Sequence, residues 1–435
     1  MERAADRLAQ TTTSAWADMK LLAVGDMHLG RVPATLPESL ADQVRTLGPE
    51  IAWQRCVQAA IEHRVEAVLL AGDVVEGSRD FFAGYAALKA GVEALIAEQI
   101  QVIAVAGNHD TEVLPRLADA VPELTLLGRG GEWQLHELSA AAVLGWSFPK
   151  ARVLESPLAD LPSLTSSQPV IGLLHCDLDQ ANSHYAPVTR TELERTDTAA
   201  WLLGHIHKPS FSNDDDANGR WIGYLGSVSA LRASETGVHG PWLLDVDGAD
   251  INASQLGLAP LAYETLSIDV ASLDDPEALS SLVLDRSRQL VDDRLRHQAL
   301  PDALGLRVTL VGKTRFGTKL EQAAKALTGR EQVWQESDCQ LFIHHLRVDT
   351  QPEIDLAEHA RQHDAIGLLA RDLLILEGPE CEARSRLIRQ ARQRLALLDD
   401  APFAGLAPPI SADETLTWLQ QAGRAALTQM LASRE

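Results

Sequence analysis

Five short segments of this chain combine aspartate, histidine and asparagine residues of the kinds that bind divalent metals. In chain order they are Gly25-Asp26-Met27-His28, Gly72-Asp73, Gly107-Asn108-His109-Asp110, Leu174-His175 and Gly204-His205-Ile206-His207. Oxygen and imidazole ligands without thiolates favour manganese, iron or zinc over magnesium or calcium. Two such metals about 3.5–4 Å apart activate a water molecule and neutralise charge on a phosphoryl group. These residue types therefore indicate metal-dependent hydrolysis of a phosphoester.

The spacing within two of the segments favours a shared ligand direction. Asp26 and His28 are two residues apart, and so are His205 and His207. In extended backbone, residues two apart point to the same side. Each pair can therefore direct both of its side chains toward one site.

The third segment has a different geometry, because Asn108 and His109 are adjacent and their side chains should diverge. We expect one of them to bind metal and the other to face the substrate. Asp110 follows directly, and outer carboxylates often orient a neighbouring histidine. We therefore expect Asp110 to orient and polarise His109.

Each of these segments follows an apolar run that is typical of a buried strand. The runs are Lys20–Val24, Ala67–Ala71, Val102–Ala106, Val170–Leu174 and Trp201–Leu203. Helical periods over 50–63 and Tyr85–Ala97 lie between the first three runs. This alternation predicts an α/β domain, in which ligands gather at the carboxyl ends of the strands.

The pattern changes after about Tyr263, where shorter strands and helices suggest a second, smaller α/β layer. Helical periods follow, and Ser411 with Glu414 forms a capping-box pattern at the start of a last helix. We expect four parts: an N-terminal extension over 1–19, a main domain over 20–262, a small α/β domain over 263–350 and a helical region over 351–435.

The chain is strongly acidic, with 61 acidic against 38 basic residues and a formal net charge of −23. Nucleic-acid binders are usually basic, because neutralising phosphates releases counterions and drives binding. Bound metals or a partner subunit would have to offset this charge. An arginine-rich stretch over Arg384–Arg394 is most often a solvated helix face, and its functional interpretation is contact with DNA or an acidic partner.

Cysteine usage and the N-terminus indicate a reduced, cytoplasmic setting without membrane insertion. The four cysteines, Cys56, Cys176, Cys339 and Cys381, show no CxxC spacing. No apolar run is long enough to span a bilayer, and residues 1–18 lack the apolar core of a signal peptide. We expect Met19 to be an alternative start of the protein.

Taken in order, the five segments resemble the signature of the calcineurin-like metallophosphoesterases. The resemblance implies two sets of metal ligands and one bridging carboxylate: Asp26, His28 and His207 for one metal, Asn108, His175 and His205 for the other, and Asp73 between them. It also implies that His109 stabilises the transition state or protonates the leaving oxygen. The continuation of the second segment, Val74-Val75-Glu76-Gly77, departs from that of Ser/Thr protein phosphatases and argues against that subgroup.

Within that superfamily the chain resembles DNA-repair exonucleases of the SbcD and YhaO type. The similar stretches are Gly25–Gly30, Tyr185–Pro187, Trp201–Pro209, Tyr224–Ser227 and Glu235–Gly237. This resemblance implies a four-layer αββα core with a small α/β capping domain and a helical C-terminal region. It further implies two manganese ions, a DNA substrate in end processing and repair, and a homodimer. The C-terminal helices would dock an SbcC-like ABC-type ATPase with a long coiled coil.

Two other functions stay open at this point. One is a phosphodiesterase that acts on a small nucleotide or a lipid-linked diester. The other is a largely structural subunit of an ATPase complex, in which catalysis is dispensable. The acidic composition keeps both alternatives in consideration, because it argues against unaided DNA binding.

Overall fold

The computed structural model describes residues 19–77, 81–214, 219–248, 250–297, 300–328, 333–396 and 411–432. Residues 1–18 of the predicted N-terminal extension over 1–19 lie outside these residues. The chain divides into two compact units. The first unit comprises Met1–Ile268, Ser280–Thr309 and Ala324–Arg347, and the second comprises Asp269–Leu279, Leu310–Ala323 and Val348–Glu435. The four-part division expected from the sequence stays a prediction.

Strands and helices alternate over most of the described chain. The strands are β1 (Met19–Val24), β2 (Ala67–Leu70), β3 (Gln101–Ala104), β4 (Leu124–Leu126), β5 (Trp133–Glu137), β6 (Ala142–Trp146), β7 (Val170–His175), β8 (Ala200–Gly204), β9 (Trp221–Tyr224), β10 (Trp242–Asp247), β11 (Asp250–Gln255), β12 (Leu261–Asp269), β13 (Ala303–Thr314), β14 (Val333–Glu336) and β15 (Cys339–Pro352). The helices are α1 (Pro49–His63), α2 (Phe81–Ala97), α3 (Val113–Ala120), α4 (Arg190–Glu194), α5 (Leu279–His297), α6 (Gly317–Thr328), α7 (Leu356–His359), α8 (Ala365–Glu377), α9 (Glu382–Ala396) and α10 (Ala412–Ala432).

The first sheet of the first unit has the strand order β11-β10-β1-β2-β3-β4. Strands β1 to β4 pair in parallel, and β10 and β11 continue the sheet in antiparallel fashion. Leu22, Val68 and Val102 on one face are buried against helices α1, α2 and α3. Parallel strands buried on both faces are apolar throughout, which explains the continuous apolar runs in the sequence.

The second sheet has the order β5-β6-β7-β8-β9 and packs face to face on the first. Leu21 and Leu69 of the first sheet share one buried core with Ile171 and Leu202 of the second. The outer face of the second sheet is covered by α4 and by two connecting segments, one between β6 and β7 and the other between β7 and β8. The parallel strands of the two stacked sheets therefore place their carboxyl ends close together, where the sequence predicts that the ligands gather.

A third sheet has the order β12-β13-β15-β14, and its last long strand differs from expectation. The sequence predicts that the helical region begins at residue 351, whereas β15 runs over Cys339–Pro352 and so extends past that boundary. Beyond Phe342 most side chains of β15 are half-buried or exposed, so the apolar signal that predicts a strand is lost. Main-chain pairing within the sheet extends the strand regardless of side-chain polarity.

The second unit contains the helices α7 to α10, so the predicted helical C-terminal region is confirmed. Leu373 of α8 and Leu427 of α10 are fully buried in a shared apolar cluster. The predicted capping box is also confirmed: the Ser411 hydroxyl accepts from the Glu414 N–H, and the Glu414 carboxylate accepts from the Ser411 N–H. Among the described residues, no helix combines the length and apolar character required to cross a lipid bilayer.

Candidate metal centre

The seven predicted metal ligands converge at the carboxyl ends of five parallel strands. In the first sheet, Asp26 and His28 follow β1, Asp73 follows β2, and Asn108 follows β3. In the second sheet, His175 ends β7, and His205 and His207 follow β8. The potential ligand atoms of all seven side chains form two adjacent groups. The sequence prediction that distant segments meet at one site is therefore matched by their positions.

The first ligand cluster consists of Asp26, His28 and His207, whose potential ligand atoms lie within 4.8 Å of one another. The Nε2 atoms of His28 and His207 are 3.0 Å apart. On the opposite edges of the rings, His28 Nδ1 lies 2.7 Å from the Glu76 carboxylate and His207 Nδ1 lies 2.9 Å from the Glu235 carboxylate. Each glutamate therefore fixes the ring that it contacts.

The second ligand cluster consists of Asp73, Asn108, His175 and His205. His175 Nε2 lies 3.0 Å from Asn108 Oδ1 and 3.5 Å from the Asp73 carboxylate. His205 Nδ1 lies 3.1 Å from the same Asn108 oxygen and 3.3 Å from His175 Nε2. The inward atoms of this cluster thus form a second compact group of nitrogen and oxygen ligands.

The outer ring nitrogens of the second cluster also have partners. His175 Nδ1 donates to the main-chain carbonyl of Ala71 at 3.0 Å. His205 Nε2 lies 3.2 Å from the Asp177 carboxylate. In both clusters, one ring nitrogen therefore faces the centre while the other is bound to an oxygen atom outside it.

Asp73 lies between the two clusters. Its Oδ2 atom is 3.9 Å from His28 Nε2 and 3.5 Å from His175 Nε2. Its Oδ1 atom accepts a hydrogen bond of 2.9 Å from the main-chain N–H of His109. One carboxylate oxygen is thus shared between the histidines of both clusters, which is the position that a bridging ligand requires.

The chemistry of these contacts fits divalent cations. A carbonyl oxygen such as that of Ala71 can only accept a hydrogen bond, and so can the ionised carboxylates of Glu76, Glu235 and Asp177. The outer ring nitrogens that contact these oxygens therefore carry the protons. The inward nitrogens of all four histidines then present lone pairs to one another and to the oxygen of Asn108. Such facing lone pairs repel, and a cation between them converts the repulsion into coordination.

Burial and neighbouring charges shift the pKa values of the first cluster. Burial, together with the Asp73 carboxylate, raises the pKa of Asp26 to about 8. Burial also lowers the pKa of His28. For His207, burial would lower the pKa, but the hydrogen bond to Glu235 and the charges of Asp26 and Glu235 outweigh it and raise that pKa. Asp26 and His207 thus tend to hold a proton, which a bound metal ion would have to displace.

In the second cluster the pKa values of Asp73, His175 and His205 are all lowered. Burial lowers the pKa of His175 to about 4 and also lowers the pKa of His205. Burial alone would raise the pKa of Asp73, but the neighbouring His175, His28 and His109 outweigh it and lower that pKa. At neutral pH these groups are therefore in the deprotonated forms that bind metal.

Two glycines of the motifs are required by close approaches at the centre. A Cβ atom on Gly107 would lie 2.2 Å from Asp73 Oδ1, and one on Gly204 would lie 2.0 Å from the Ala71 carbonyl oxygen. Both distances are far below any allowed contact, so a larger residue would displace the Asp73 carboxylate or the loop before His205. The glycines in these motifs are thus part of the ligand geometry.

Three of the predicted ligands themselves adopt backbone conformations that L-residues rarely take. His28, Asp73 and His205 have φ angles of 47°, 46° and 111°. Non-glycine residues with positive φ occur mainly where surrounding contacts impose them, as at functional sites. Here the His28 N–H donates to the Asp73 carbonyl at 2.9 Å, and the His205 N–H donates to the Asp26 carboxylate at 2.9 Å.

His109 lies at the solvent side of the centre, with 42% of its side chain exposed. Its ring meets that of His28 edge to face at 5.3 Å between centroids. Its Nδ1 atom lies 3.6 Å from the Glu76 carboxylate. An exposed imidazole beside the ligand clusters is accessible to a bound substrate, in keeping with the predicted divergence of Asn108 and His109.

The expected contact between Asp110 and His109 requires correction. Asp110 is fully buried, and its two carboxylate oxygens accept from the main-chain N–H groups of Val74 and Gly107, both at 2.7 Å. Within the described residues, no hydrogen bond joins the Asp110 carboxylate to the His109 ring. The main chain thus occupies the carboxylate, which ties the loop of Asp73 to the loop of Asn108, while Glu76 is the carboxylate that faces His109.

Sequence reasoning missed the three carboxylates that orient ligand histidines: Glu76, Asp177 and Glu235. Two of them stand close to a ligand, because Glu76 follows Asp73 by three residues and Asp177 follows His175 by two. Acidic residues at such short distances after a ligand could have signalled these roles. Glu235 offers no such signal, since it lies 28 residues from His207 and meets it only through the fold.

An open cavity of about 740 Å³ adjoins the second cluster. Its lining includes Asp177, His184, Tyr185, Ile206 and Tyr224. The ring of Tyr185 lies 5.0 Å from that of His205, centroid to centroid. The cavity therefore provides aromatic and polar surface directly beside the metal ligands, and His184 lies on that surface.

The chain is similar to known metallophosphoesterases. Residues 19–209 match the family model described as calcineurin-like phosphoesterase. The chain is 25% identical over 289 residues to the uncharacterized metallophosphoesterase YhaO of Bacillus subtilis, covering 63% of this chain and 68% of the relative. It is 27% identical over 296 residues to the DNA double-strand break repair protein Mre11 of Haloferax volcanii, covering 66% of this chain.

The alignment with Mre11 spans 60% of that relative's length. Among solved structures, the calcineurin-like phosphoesterase YfkN of Bacillus subtilis is 12% identical, with 63% of this chain and 98% of that chain covered and a TM-score of 0.37. The α/β fold class predicted from the sequence is confirmed by the sheets and helices together with the family match.

Proposed function

Because residues 19–209 form a calcineurin-like phosphoesterase domain, we propose that this chain is a metal-dependent DNA nuclease that hydrolyses phosphodiester bonds by two-metal catalysis. The observation that supports hydrolysis most directly is the shared position of Asp73 between two clusters of inward lone pairs. The observation that supports DNA as the substrate is the similarity to Mre11, which is named a DNA double-strand break repair protein.

The proposed cofactors are two divalent ions, with manganese as the expected metal. Asp26, His28 and His207 would bind one ion, Asn108, His175 and His205 the other, and Asp73 both. When bound, such ions activate a water molecule at neutral pH and neutralise charge on the phosphoryl oxygens. The nitrogen- and oxygen-rich ligand set without thiolate is compatible with manganese.

The remaining steps are assigned to side chains of this chain. His109 would donate a proton to the leaving oxygen or stabilise the charge that develops on it, and its exposure lets it reach a substrate. Glu76 would hold the His28 ring in place and restrict the position of His109. Asp110 would contribute to catalysis indirectly, by fixing the loops of Asp73 and Asn108 through its main-chain hydrogen bonds.

The proposal includes a setting and partners. The cysteines Cys56, Cys176, Cys339 and Cys381 are free thiols, which is compatible with a reducing cytoplasm. An SbcC-like ABC-type ATPase bound through the C-terminal helices would supply DNA affinity that an acidic chain lacks, and a homodimer would present two such sites. No role at a membrane is proposed.

The net charge of −23 favours one alternative, a phosphodiesterase for a small nucleotide or lipid-linked diester. A small diester has fewer charges than DNA, so its binding is opposed less by an acidic protein. The open cavity beside His205 would accept part of such a substrate. This alternative predicts turnover of small diesters without any activity on DNA.

The test is degradation of end-labelled linear duplex DNA in manganese by the wild type and by His109→Ala, with a small chromogenic phosphodiester in parallel. We expect the wild type to shorten the labelled DNA and His109→Ala to lose that activity while retaining metal. Loss of DNA at the same rate in both proteins would contradict the assigned role of His109. Turnover of the small diester alone would replace the nuclease proposal by the phosphodiesterase alternative. Full function of His109→Ala in cells that lack the wild-type protein would instead indicate a structural subunit.

A further inference from the structure

Helix α9 is a basic element in an acidic chain. Its sequence, Glu-Ala-Arg-Ser-Arg-Leu-Ile-Arg-Gln-Ala-Arg-Gln-Arg-Leu-Ala, contains five arginines and one glutamate, whereas the whole protein has a net charge of −23. The glutamate, Glu382, is the first residue of the helix. The rest of α9 therefore presents positive charge without an acidic residue of its own.

The arginines and the apolar residues of α9 separate onto different faces. Arg386, Arg389, Arg392 and Arg394 are exposed, and so are Gln390 and Gln393 between them. Leu387, Ile388 and Ala391 are half-buried on the other side of the helix. Helix α9 contacts both α8 and α10. We call the four exposed arginines and the two glutamines the arginine face.

The arginine face differs from the other arginine-rich helix of the protein. On α5, Arg288 pairs with Glu336 at 2.8 Å, Arg296 pairs with Asp293 at 3.1 Å, and Arg286 donates to Gln289 at 2.9 Å. Within the described part of the chain, no ion pair or hydrogen bond is formed by the guanidinium groups of the arginine face. The guanidinium groups of these three α5 arginines are thus used within the fold, whereas those of the arginine face have no such partner among the described residues and can bind an external anion.

The composition of the arginine face favours a phosphate backbone over an acidic protein surface. Protein interfaces have a desolvated core with apolar and aromatic residues, and the arginine face has none at its centre. Contacts to a nucleic-acid backbone are polar and hydrated, and arginine and glutamine are among the side chains that make them. Planar guanidinium groups also match phosphate oxygens better than lysine ammonium groups do.

We propose that the arginine face of α9 binds the phosphate backbone of DNA and so provides a contact that the acidic remainder of the chain does not. This inference rests on the proposed action on DNA. The contact is independent of base sequence, because phosphates are the same at every position. It adds a DNA-binding element to the chain at a place where the sequence resemblance implies only the docking of an ATPase.

The test compares two triple variants with matched changes in charge. The first replaces Arg386, Arg389 and Arg392 by glutamine, and the control replaces Arg286, Arg288 and Arg296 of α5 by glutamine. Affinity for an end-labelled duplex is measured without metal, so that no cleavage occurs, over a series of salt concentrations. A third variant with lysine at the three α9 positions keeps the charge, and circular dichroism verifies the helix content of every variant.

We expect the α9 glutamine variant to bind the duplex at least tenfold more weakly at low salt. Its plot of log affinity against log salt should become shallower by up to about 3, since each lost phosphate contact removes about 0.9 from the slope. The α5 variant should keep the wild-type slope, and the α9 lysine variant should keep most of it. An unchanged slope in the α9 glutamine variant, or an equal loss in the α5 variant, would overturn the proposal.

Further outcomes separate this proposal from the proposed function. If the α9 glutamine variant binds and degrades DNA like the wild type, the arginine face has no such role, although the nuclease stands. If the wild type neither binds nor degrades DNA yet hydrolyses the small diester, both proposals are wrong. Polyglutamate serves as a second probe: loss of affinity for polyglutamate without loss for DNA would assign the face to an acidic protein and overturn the proposal.

Discussion

The first ligand cluster orients its histidines with glutamate side chains, whereas the second orients its innermost histidine with the main chain. Glu76 and Glu235 contact His28 and His207 from outside the centre, and both glutamates are partly accessible to solvent. His175 is fully buried and donates to the carbonyl of Ala71 at the end of β2. The two clusters meet at Asp73 but depend on different parts of the chain for their geometry.

The kind of partner that orients a histidine ring also affects the pKa of that ring. A carboxylate partner holds a ring in place and also stabilises its protonated form. For His207 this outweighs burial and raises the pKa, whereas for His28 burial outweighs it. A buried ring held by a carbonyl group gains no such charge, and the pKa of His175 falls to about 4. The second cluster should therefore bind its metal at lower pH than the first, since protons compete less strongly for its ligands.

The largest effect is expected from Asp73→Asn, which removes the charge that the two clusters share. Both metal sites should weaken together, by more than the roughly 10–100-fold that substitution of an outer-shell partner costs. Activity should fall below detection at ordinary metal concentrations. Metal content after gel filtration, measured by plasma emission, should be well under that of the wild type. Two metals per chain in this variant would show that Asp73 is not a shared ligand.

His109→Gln tests whether the residue beside the first cluster acts on the substrate alone. Turnover should fall by about 10²–10⁴-fold, because proton transfer is lost while the metal ligands are untouched. Metal affinity of both clusters should equal that of the wild type in calorimetric titration. A matched decrease in metal affinity would place His109 among the ligands instead.

Glu235→Ala and Asp177→Ala separate the two clusters. Glu235→Ala should weaken the metal of the first cluster by about 10–100-fold, because His207 loses the group that orients it. Asp177→Ala should affect only the second cluster, and to a smaller extent, since His175 keeps its main-chain partner. Two-site titrations of both variants give the comparison. If both variants weaken the same site, the assignment of His205 and His207 to different clusters is wrong.

The smallest expected effect is a pH dependence of the metal-free protein. The pKa of Asp26 is raised from 3.8 to about 8, and that of His207 is raised above 6.5. Between pH 6.5 and 8 the folded state therefore keeps protons that the unfolded state has lost, so stability falls as pH rises. Over this window the free energy of unfolding should decrease by on the order of 1 kcal/mol per pH unit.

The lowered pKa values of His28, His175 and His205 act in the opposite direction, but mainly below pH 6.5. Urea denaturation between pH 6.5 and 8 thus reports on Asp26 and His207 together with Asp110, whose pKa is raised by burial and by the Asp73 carboxylate. Manganese should reverse the trend, because binding becomes stronger as the ligands lose protons. A metal-free protein whose stability rises over this window would contradict the raised pKa values in the first cluster.

Much of the centre could be predicted from the sequence because its ligands follow a local rule. Apolar runs predict parallel strands, and the residues that follow them, such as Asp26 and His175, lie at one edge of the sheets. The helices α1 and α2 and the capping box at Ser411 also depend on nearby residues only. The length of β15 could not be predicted, since pairing with neighbouring strands extends it through residues without an apolar pattern.

The residue types at the strand ends, and with them the kind of chemistry, can be read directly from the amino-acid sequence. Which carboxylate faces which histidine follows only from the folded chain: Glu235 meets His207 across 28 residues, and Asp110 contacts main-chain groups instead of His109. The two kinds of feature depend on interactions of different range. Strand formation follows from neighbours along the chain, whereas the direction of a hydrogen bond between loops depends on how the two sheets pack and on strained backbone at His28, Asp73 and His205.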